Sequence, residues 1–236
     1  MFEFDPHTHS IASGHGTSAT ITDLAKKAAF AGLKSIGITD HAPGTLCSGR
    51  TAYFRNLAYA PKKRCGIELL YGVELNIIDK DGNVDLADEV LDNLDYAIIS
   101  MHAPSYSSGS MEENTFAYIY AMKHPRVKII GHPEDVKFPV DFEALIVAAK
   151  HHGAIPEINN HSLSPDGYRG DVRDNVKAIL RFCEKYRHPV VLSSDSHGSE
   201  HVGDFTYALK MIEECNFPQH LVLNHSLEKF MKFINT

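Results

Sequence analysis

Residues 35–41 read Ser35-Ile36-Gly37-Ile38-Thr39-Asp40-His41, a short apolar, β-branched run that stops at an aspartate and a histidine. Such a run has the composition of a buried strand, and the side chains after its last apolar residue can bind a metal or move a proton. The same unit recurs outward along the chain. Apolar runs at 2–5 (FEFD), 69–74 (LLYGVE), 96–100 (YAIIS), 127–130 (VKII), 154–158 (AIPEI) and 190–194 (VVLSS) bring the expected strands to seven, with 35–39 the second. His7 and His9 follow the first, His41 the second and Glu74 ends the third. His102 follows the fourth, His132 the fifth, and Asp195 and His197 the seventh.

Helical patterns fill most of the intervals, at 21–31, 141–152 and 172–186, with two more at 204–215 and 226–234 after the last strand. Thr20 and Asp23 have capping-box spacing at the start of the first, Gly32 stops it, and Gly153 ends the helix that carries Lys150. This alternation predicts an α/β fold with a mainly parallel sheet and helices outside it. No Pro/Gly/Ser-rich linker, composition shift or repeat divides the chain, so one domain over 1–236 is expected. The polar, glycine-bearing loops 103–110 and 161–170 are expected to be mobile. The stretch 42–66 is the least legible, because Pro61 interrupts the helix that Tyr53 to Tyr59 begins. In a parallel barrel or doubly wound sheet the C-terminal strand ends are spatial neighbours. The histidines and acids spread between positions 7 and 197 are therefore expected in one cleft.

Composition narrows the function. Fifteen histidines against 12 phenylalanines and 10 tyrosines is an excess that points to metal chemistry. A net charge of −7, with Lys62-Lys63-Arg64 the only tight basic run, argues against a nucleic-acid groove or an anionic membrane surface. No apolar run approaches the length of a membrane span, the N-terminus lacks the basic and apolar regions of a secretory signal, and Cys47, Cys65, Cys183 and Cys215 form no C-x-x-C pair. A cytoplasmic protein with free thiols is expected; its oligomeric state is left open. Side chains at i and i+2 of an extended segment point the same way, so His7 with His9, and Asp195 with His197, can each approach a common ion. Imidazole and carboxylate ligands suit zinc first, with manganese or iron as alternatives. A lone histidine is more often an ordinary surface or core residue than a ligand, but eight such residues at six strand ends form a set.

The segments Asp5-Pro6-His7-Thr8-His9, His15, Ile38-Thr39-Asp40-His41, Gly72-Val73-Glu74, Met101-His102, Gly131-His132-Pro133 and Ser194-Asp195-Ser196-His197 together resemble the PHP (polymerase and histidinol phosphatase) superfamily. The resemblance covers essentially the whole chain. Its nearest type is the small stand-alone YcdX-like phosphatases, which Glu157-Ile158-Asn159-Asn160 also resembles. It implies a distorted seven-stranded (β/α)7 TIM-like barrel with the metal site at the C-terminal strand ends. It also implies three divalent ions: one on His7, His9, Glu74 and Asp195, a second on His15, His41 and His197, and a third on His102 and His132 with Glu74 as the bridge. Glu74, Asp195 and His197 are the implied catalytic residues. Pro6 departs from the family pattern, which usually places an apolar residue with a backbone N–H there.

The activity expected is hydrolysis of small phosphomonoesters by a hydroxide activated at the trinuclear centre, with a small phosphorylated substrate and no membrane partner. A nuclease or phosphodiesterase acting on nucleic-acid ends and a non-catalytic metal-binding regulatory protein are the alternatives. The acidic balance weighs against the first and the complete ligand set against the second. Asp5 and Asp40 are candidates to accept a ligand's free N–H. Arg50, Arg55 and Arg169 are candidate phosphate clamps, and His161 opens a loop that could face the site.

Overall fold

Parallel pairing runs through the whole sheet except for one short hairpin. The computed structural model describes residues 2–236. Its strands are β1 (Phe4–His9), β2 (Ser35–Ile38), β3 (Lys63–Arg64), β4 (Ile67–Asn76), β5 (Tyr96–Ser100), β6 (Val127–Ile130), β7 (Ile155–Asn159), β8 (Val191–Ser193) and β9 (Ser196–His197). Its helices are α1 (Ile21–Phe30), α2 (Thr51–Leu57), α3 (Asp88–Leu91), α4 (Met111–Ala121), α5 (Phe142–His152), α6 (Asn160–Leu163), α7 (Arg173–Tyr186), α8 (Thr206–Glu214) and α9 (Leu227–Ile234). The strand order is β8-β7-β6-β5-β4-β2-β1-β9, with β3 antiparallel to β4 and off this path. The result is a curled, TIM-like α/β sheet.

The expected count of seven is corrected to nine, eight of them on the curled path. β3 is a two-residue return before β4. The seventh expected strand is broken: Ser194 and Asp195 separate β8, which pairs with β7, from β9, which pairs with β1. Asp195 adopts a left-handed conformation (φ 51°) that ends the one pairing and begins the other. The two ends of the path are therefore consecutive in sequence. Asn224, fully buried, ties β8 to β1 on the far side of this break. Its Oδ1 accepts from Leu192 N at 2.7 Å and its Nδ2 donates to Leu192 O at 2.8 Å and Phe4 O at 3.1 Å.

One face of the strands looks into the curl. Phe4, Leu70, Tyr96, Ile98, Ile129, Ile155 and Val191 meet there with Phe230 and Ile234 of α9, and Phe230 stacks on Phe4. This apolar plug fills the end where the strands begin and leaves the other end to polar side chains. The helices cover the outside through stripes such as Leu24, Ala25 and Ala28 of α1 or Val176, Ile179, Leu180 and Cys183 of α7. The Thr20–Asp23 capping box is formed, and Gly153 closes α5 at φ 72°. No helix among the described residues is long and apolar enough to cross a membrane.

α4, which the pattern did not reveal, carries the Ser110–Glu113 capping box. It turns Phe116 and Tyr120 outward and buries Asn114 and Thr115 beside Ala117, Tyr118 and Ala121, which blurs its apolar stripe. β1 continues past its expected end at residue 5 to His9, with every residue buried. Its second half reads as polar because it lines a polar interior.

Replacing Asn224 by alanine should strand backbone groups of Leu192 and Phe4. At about 1–3 kcal/mol for an orphaned buried group, a loss of about 3 kcal/mol in chemical denaturation is expected. An unchanged denaturation midpoint would show that the break between β8 and β9 is held closed by other contacts.

Candidate metal centre

Strand parity explains which side chains enter the open end. Residues sharing the inward face with the apolar plug are 72, 74 and 76 on β4, 98, 100 and then 102 from β5, 157 and 159 on β7, and 193, 195 and 197 along β8 and β9. Glu74 and His102 therefore point inward by simple alternation, as does His41 beyond β2, where Gly37 leaves room for the Tyr96 hydroxyl, while Asp195 and His197 reach the centre across the left-handed break between β8 and β9. Two strands break the rule. On β1, Asp5 pairs with Ile36 but Thr8 with Ile38, a bulge of one residue at Pro6 and His7. That bulge exchanges the faces and turns His7 and His9 inward, and proline is tolerated there because the ladder has no place for its missing N–H. After β6, His132 would face outward; its left-handed backbone (φ 28°) re-aims it.

All nine expected residues occupy this end. Glu74 is central and fully buried. Its Oε1 lies 2.9 Å from His132 Nε2 and 3.4 Å from His102 Nε2. Its Oε2 lies 2.7 Å from His41 Nδ1 and 3.5 Å from Nε2 of both His7 and His9. Asp195 Oδ1 faces His9 Nε2 at 3.2 Å and His7 Nε2 at 3.7 Å. Three triads bring their ligand atoms within 4.8 Å of one another: His7, His9 and Asp195; His9, His41 and His197; His41, Glu74 and His102. His15, on the exposed loop after a 3-10 turn at Ile11–Ser13, stacks on His41 with centroids 4.9 Å apart and lies 5.0 Å from His197. His9 thus stands between two of the triads, a more shared position than the resemblance implies.

The outer nitrogens of the rings are already committed. His7 Nδ1 meets Glu157 Oε2 at 2.8 Å, His9 Nδ1 meets Ser13 Oγ at 2.8 Å, His102 Nδ1 meets Asn76 Oδ1 at 2.7 Å, and His197 Nδ1 meets the carbonyl of Asp195 at 3.2 Å. These acceptors assign the proton to Nδ1 and leave a lone pair on Nε2, facing the centre. Glu74 Oε2, His41 Nδ1 and His102 Nε2 have no hydrogen-bond partner, although all are buried. Lone pairs converging without donors is the donor set of a cation site, so the residues fit divalent metal.

Electrostatics agree with that geometry. Burial pushes the Glu74 and Asp195 carboxylates up, but the histidines around them, and Arg169 at Asp195, outweigh it and hold both well below their ordinary range. Burial carries His9 well below the usual imidazole value and His102 and His197 down to about 4, so their nitrogens stay unprotonated in mild acid. His7 goes the other way. Burial lowers it, yet Glu157, Glu74 and Asp195 together raise it well above normal.

A cavity of about 970 Å³ opens above the centre, walled by Thr45, Leu46 and Cys47 on one side and by His161, Tyr168 and Arg169 on another. Arg169 and His161 line it; Arg50 and Arg55 do not. The Arg169 guanidinium, nearly fully buried, donates to Asp195 Oδ2 and Ser162 Oγ, both at 2.9 Å, and to the Tyr168 hydroxyl. It therefore braces Asp195 as much as it faces the cavity. Asp5 accepts backbone N–H groups of His7, Ser194 and Gly203 rather than a ring, and Asp40 reaches His9 only through Ser13. Ser13, Asn76, Ser100, Glu157 and Asn159 are functional neighbours to which sequence reasoning assigned no role. Glu157 and Asn159 share the inward parity of β7 with Ile155, which is the signal that would have found them.

Comparison with known proteins fits this arrangement. The model of the PHP domain matches residues 5–188. A probable phosphatase of Acetivibrio thermocellus is 40% identical over 233 residues, covering 99% of this chain and 95% of that protein. One of Caldicellulosiruptor saccharolyticus is 39% identical over 234 residues, covering 99% and 96%. Among solved structures, the histidinol phosphate phosphatase of Lactococcus lactis, in complex with zinc, L-histidinol and phosphate, superposes with a TM-score of 0.64 at 17% identity, covering 92% of this chain and 94% of that one. The last likeness is one of fold; the extent and identity of the others, with the domain match, mean that this chain belongs to the PHP domain family.

Proposed function

We propose that the protein is a metal-dependent phosphatase, a single domain over 1–236 that hydrolyses small phosphomonoesters in the cytoplasm with three divalent ions, zinc first and manganese or iron as alternatives. The observation that carries this reading is Glu74. It is a buried carboxylate with each oxygen turned to a different group of histidines, the geometry of a bridge. His7, His9, Glu74 and Asp195 would hold one ion, His15, His41 and His197 a second, and His102, His132 and Glu74 a third. The phosphatase names of relatives about 40% identical over nearly their full length support the reaction class.

Such ions lower the pKa of water toward about 7 and polarise phosphoryl oxygens. The chain supplies the rest. Glu74 and Asp195 neutralise only part of the ionic charge, which leaves the centre roughly +4 before the nearby acids are counted and favours a terminal phosphoryl group of about −2 over a diester of about −1. Arg169 and Asn159 fix Asp195 Oδ2 from behind, at 2.9 and 3.1 Å, so that Oδ1 alone faces the rings. His197 keeps its Nδ1 proton on the Asp195 carbonyl and presents Nε2 at the cavity wall.

Small aryl phosphates should be hydrolysed, with inorganic phosphate inhibiting and chelator abolishing turnover; diesters should react at least about tenfold more slowly for the charge reason above. Faster cleavage of single-stranded DNA than of every monoester would replace this reading. In Glu74→Ala, metal analysis should find two of three ions reduced together, because one bridge serves both positions. Metal content equal to wild type would remove Glu74 from the centre.

Loading also has a proton signature. Glu157, Glu74 and Asp195 raise His7 well above the usual imidazole value, whereas burial lowers His9, His102 and His197. Metal binding should therefore displace protons from His7 first, read by calorimetry in buffers of differing ionisation enthalpy. Protons should begin to compete at the lowered rings only as pH falls toward 4. Metal release already complete near pH 6 would contradict the assignment.

A further inference from the structure

Asp40 is almost fully buried and accepts four hydrogen bonds: from Ser10 N at 2.6 Å, Ser10 Oγ at 2.8 Å, Ser13 Oγ at 2.7 Å and the Tyr53 hydroxyl at 2.6 Å. With its proton given to Asp40, Ser13 Oγ can only accept, and it does so from His9 Nδ1 at 2.8 Å and from the backbone N–H of His41 at 3.2 Å. One hydroxyl thus holds the ring of one proposed ligand and the backbone of another. The chain Tyr53–Asp40–Ser13–His9 has a single consistent direction. Tyr53 donates to Asp40 Oδ2, Ser13 donates to Oδ1, and His9 donates its Nδ1 proton to Ser13.

The far end of this chain lies in α2, within the stretch 42–66 that is the least legible in the sequence. That stretch is clasped to the loop bearing Ser13 and His15. Gly49 N donates to Ala12 O at 2.7 Å, and the Cys47 backbone lies so close to Gly14 that a Cβ there would sit 2.2 Å from it. Thr45, Leu46 and Cys47 of the same stretch wall the cavity.

We propose that Tyr53 is a positioning residue for the metal centre: through Asp40 and Ser13 its hydroxyl fixes the Nδ1–H tautomer and the ring angle of His9, the ring shared by two ligand triads. The proposal rests on the metal centre described above but not on the identity of the reaction. Outer partners of metal-bound histidines typically change affinity about 10–100-fold when removed, and Tyr53 acts at three bonds' distance, so the lower part of that range applies.

The test is metal retention in the full chain, read by competition of zinc between the protein and a chromogenic chelator. Tyr53→Phe should release zinc about tenfold more readily, and Ser13→Ala more readily still. In the double variant the Tyr53 change should add nothing to Ser13→Ala, because the link to His9 is already cut. Tyr71→Phe is the control. Its hydroxyl donates to Pro61 O at 2.8 Å in the same part of the molecule but off the chain, so it should lower thermal stability and leave zinc retention alone. Zinc retention in Tyr53→Phe equal to wild type, or additive losses in the double variant, would overturn the proposal. Wild-type protein that binds no zinc, manganese or iron would overturn both this inference and the proposed metal centre. Protein that binds metal and shows the expected series yet hydrolyses no phosphomonoester would overturn the reaction alone.

Discussion

A fully buried carboxylate with one hydroxyl donor is the constraint around which the molecule is arranged. Glu74 accepts from Ser100 Oγ at 2.6 Å, and its other near neighbours are imidazoles. Moving an ionised carboxylate from water into a protein interior costs several kcal/mol even after relaxation, and this one is not alone. Asp5, Asp40, Glu74, Glu134, Asp135, Glu157 and Asp195 are all buried, against Lys128 and Arg169 as buried cations. Two of the acids answer by moving toward neutrality, burial pushing Asp5 up to about 6 and Glu134 up to about 7. The others are served by donors: four for Asp40; Lys137 N for Asp135; His7, His132 N and Asn159 for Glu157; Arg169 and Asn159 for Asp195. Glu74 stays ionised with one hydroxyl donor and imidazole lone pairs around it, so the missing positive charge falls at its position.

The fold meets this constraint with two local departures from regular geometry. His132 and Asp195 hold left-handed backbones without being glycine, at a cost on the order of 1–3 kcal/mol each. Each is over-determined by its surroundings. Glu157 Oε1 accepts the His132 N–H at 2.7 Å, and Asp195 is pinned through its side chain by Arg169 and Asn159. Glu157 therefore orients His7 through its ring and His132 through its backbone at once, so one strained turn is held by the same residue that sets a ring's tautomer.

This division decides what could be read from the sequence. Eight of the nine central residues were legible because histidine and acid at the ends of apolar runs are unusual residue types in unusual places; His15, at the end of no such run, came only from the family resemblance. The strand bulge at Pro6 and the re-aimed His132 were not, since parity along β1 and β6 argues for the wrong face until the register is known. Ser13, Asn76 and Ser100 were invisible for another reason. Serine and asparagine are ordinary loop and strand-end residues, and only their partners give them a role. α4 escaped because its buried face holds Asn114 and Thr115, with Asn114 Nδ2 donating to Pro139 O at 3.0 Å and Thr115 Oγ1 accepting from Asp141 N at 2.8 Å. A helix that buries polar anchors and exposes Phe116 and Tyr120 defeats a reading based on hydrophobic periodicity.

The same division separates reaction class from substrate choice. Groups that can hold cations come from strands and strand ends, where parity and backbone pairing fix them within a rigid frame, and loops carried on such a frame are free to differ. Here the cavity extends far beyond the space a phosphoryl group needs, and its outer walls are Leu46 and Cys47 facing a loop that holds Tyr168. Tyr168 is pinned by Arg169 at its hydroxyl and approached by Lys137, whose Nζ lies 5.3 Å from its ring, so that wall is ordered from the metal side outward. Arg169 joins the two regions, bonding to Asp195 within the centre and to Tyr168 at the wall. A group entering the cavity against Tyr168 would thus press on a residue hydrogen-bonded to the brace of Asp195, and the organic part of a substrate would be sensed two hydrogen bonds away from the carboxylate that faces His7 and His9.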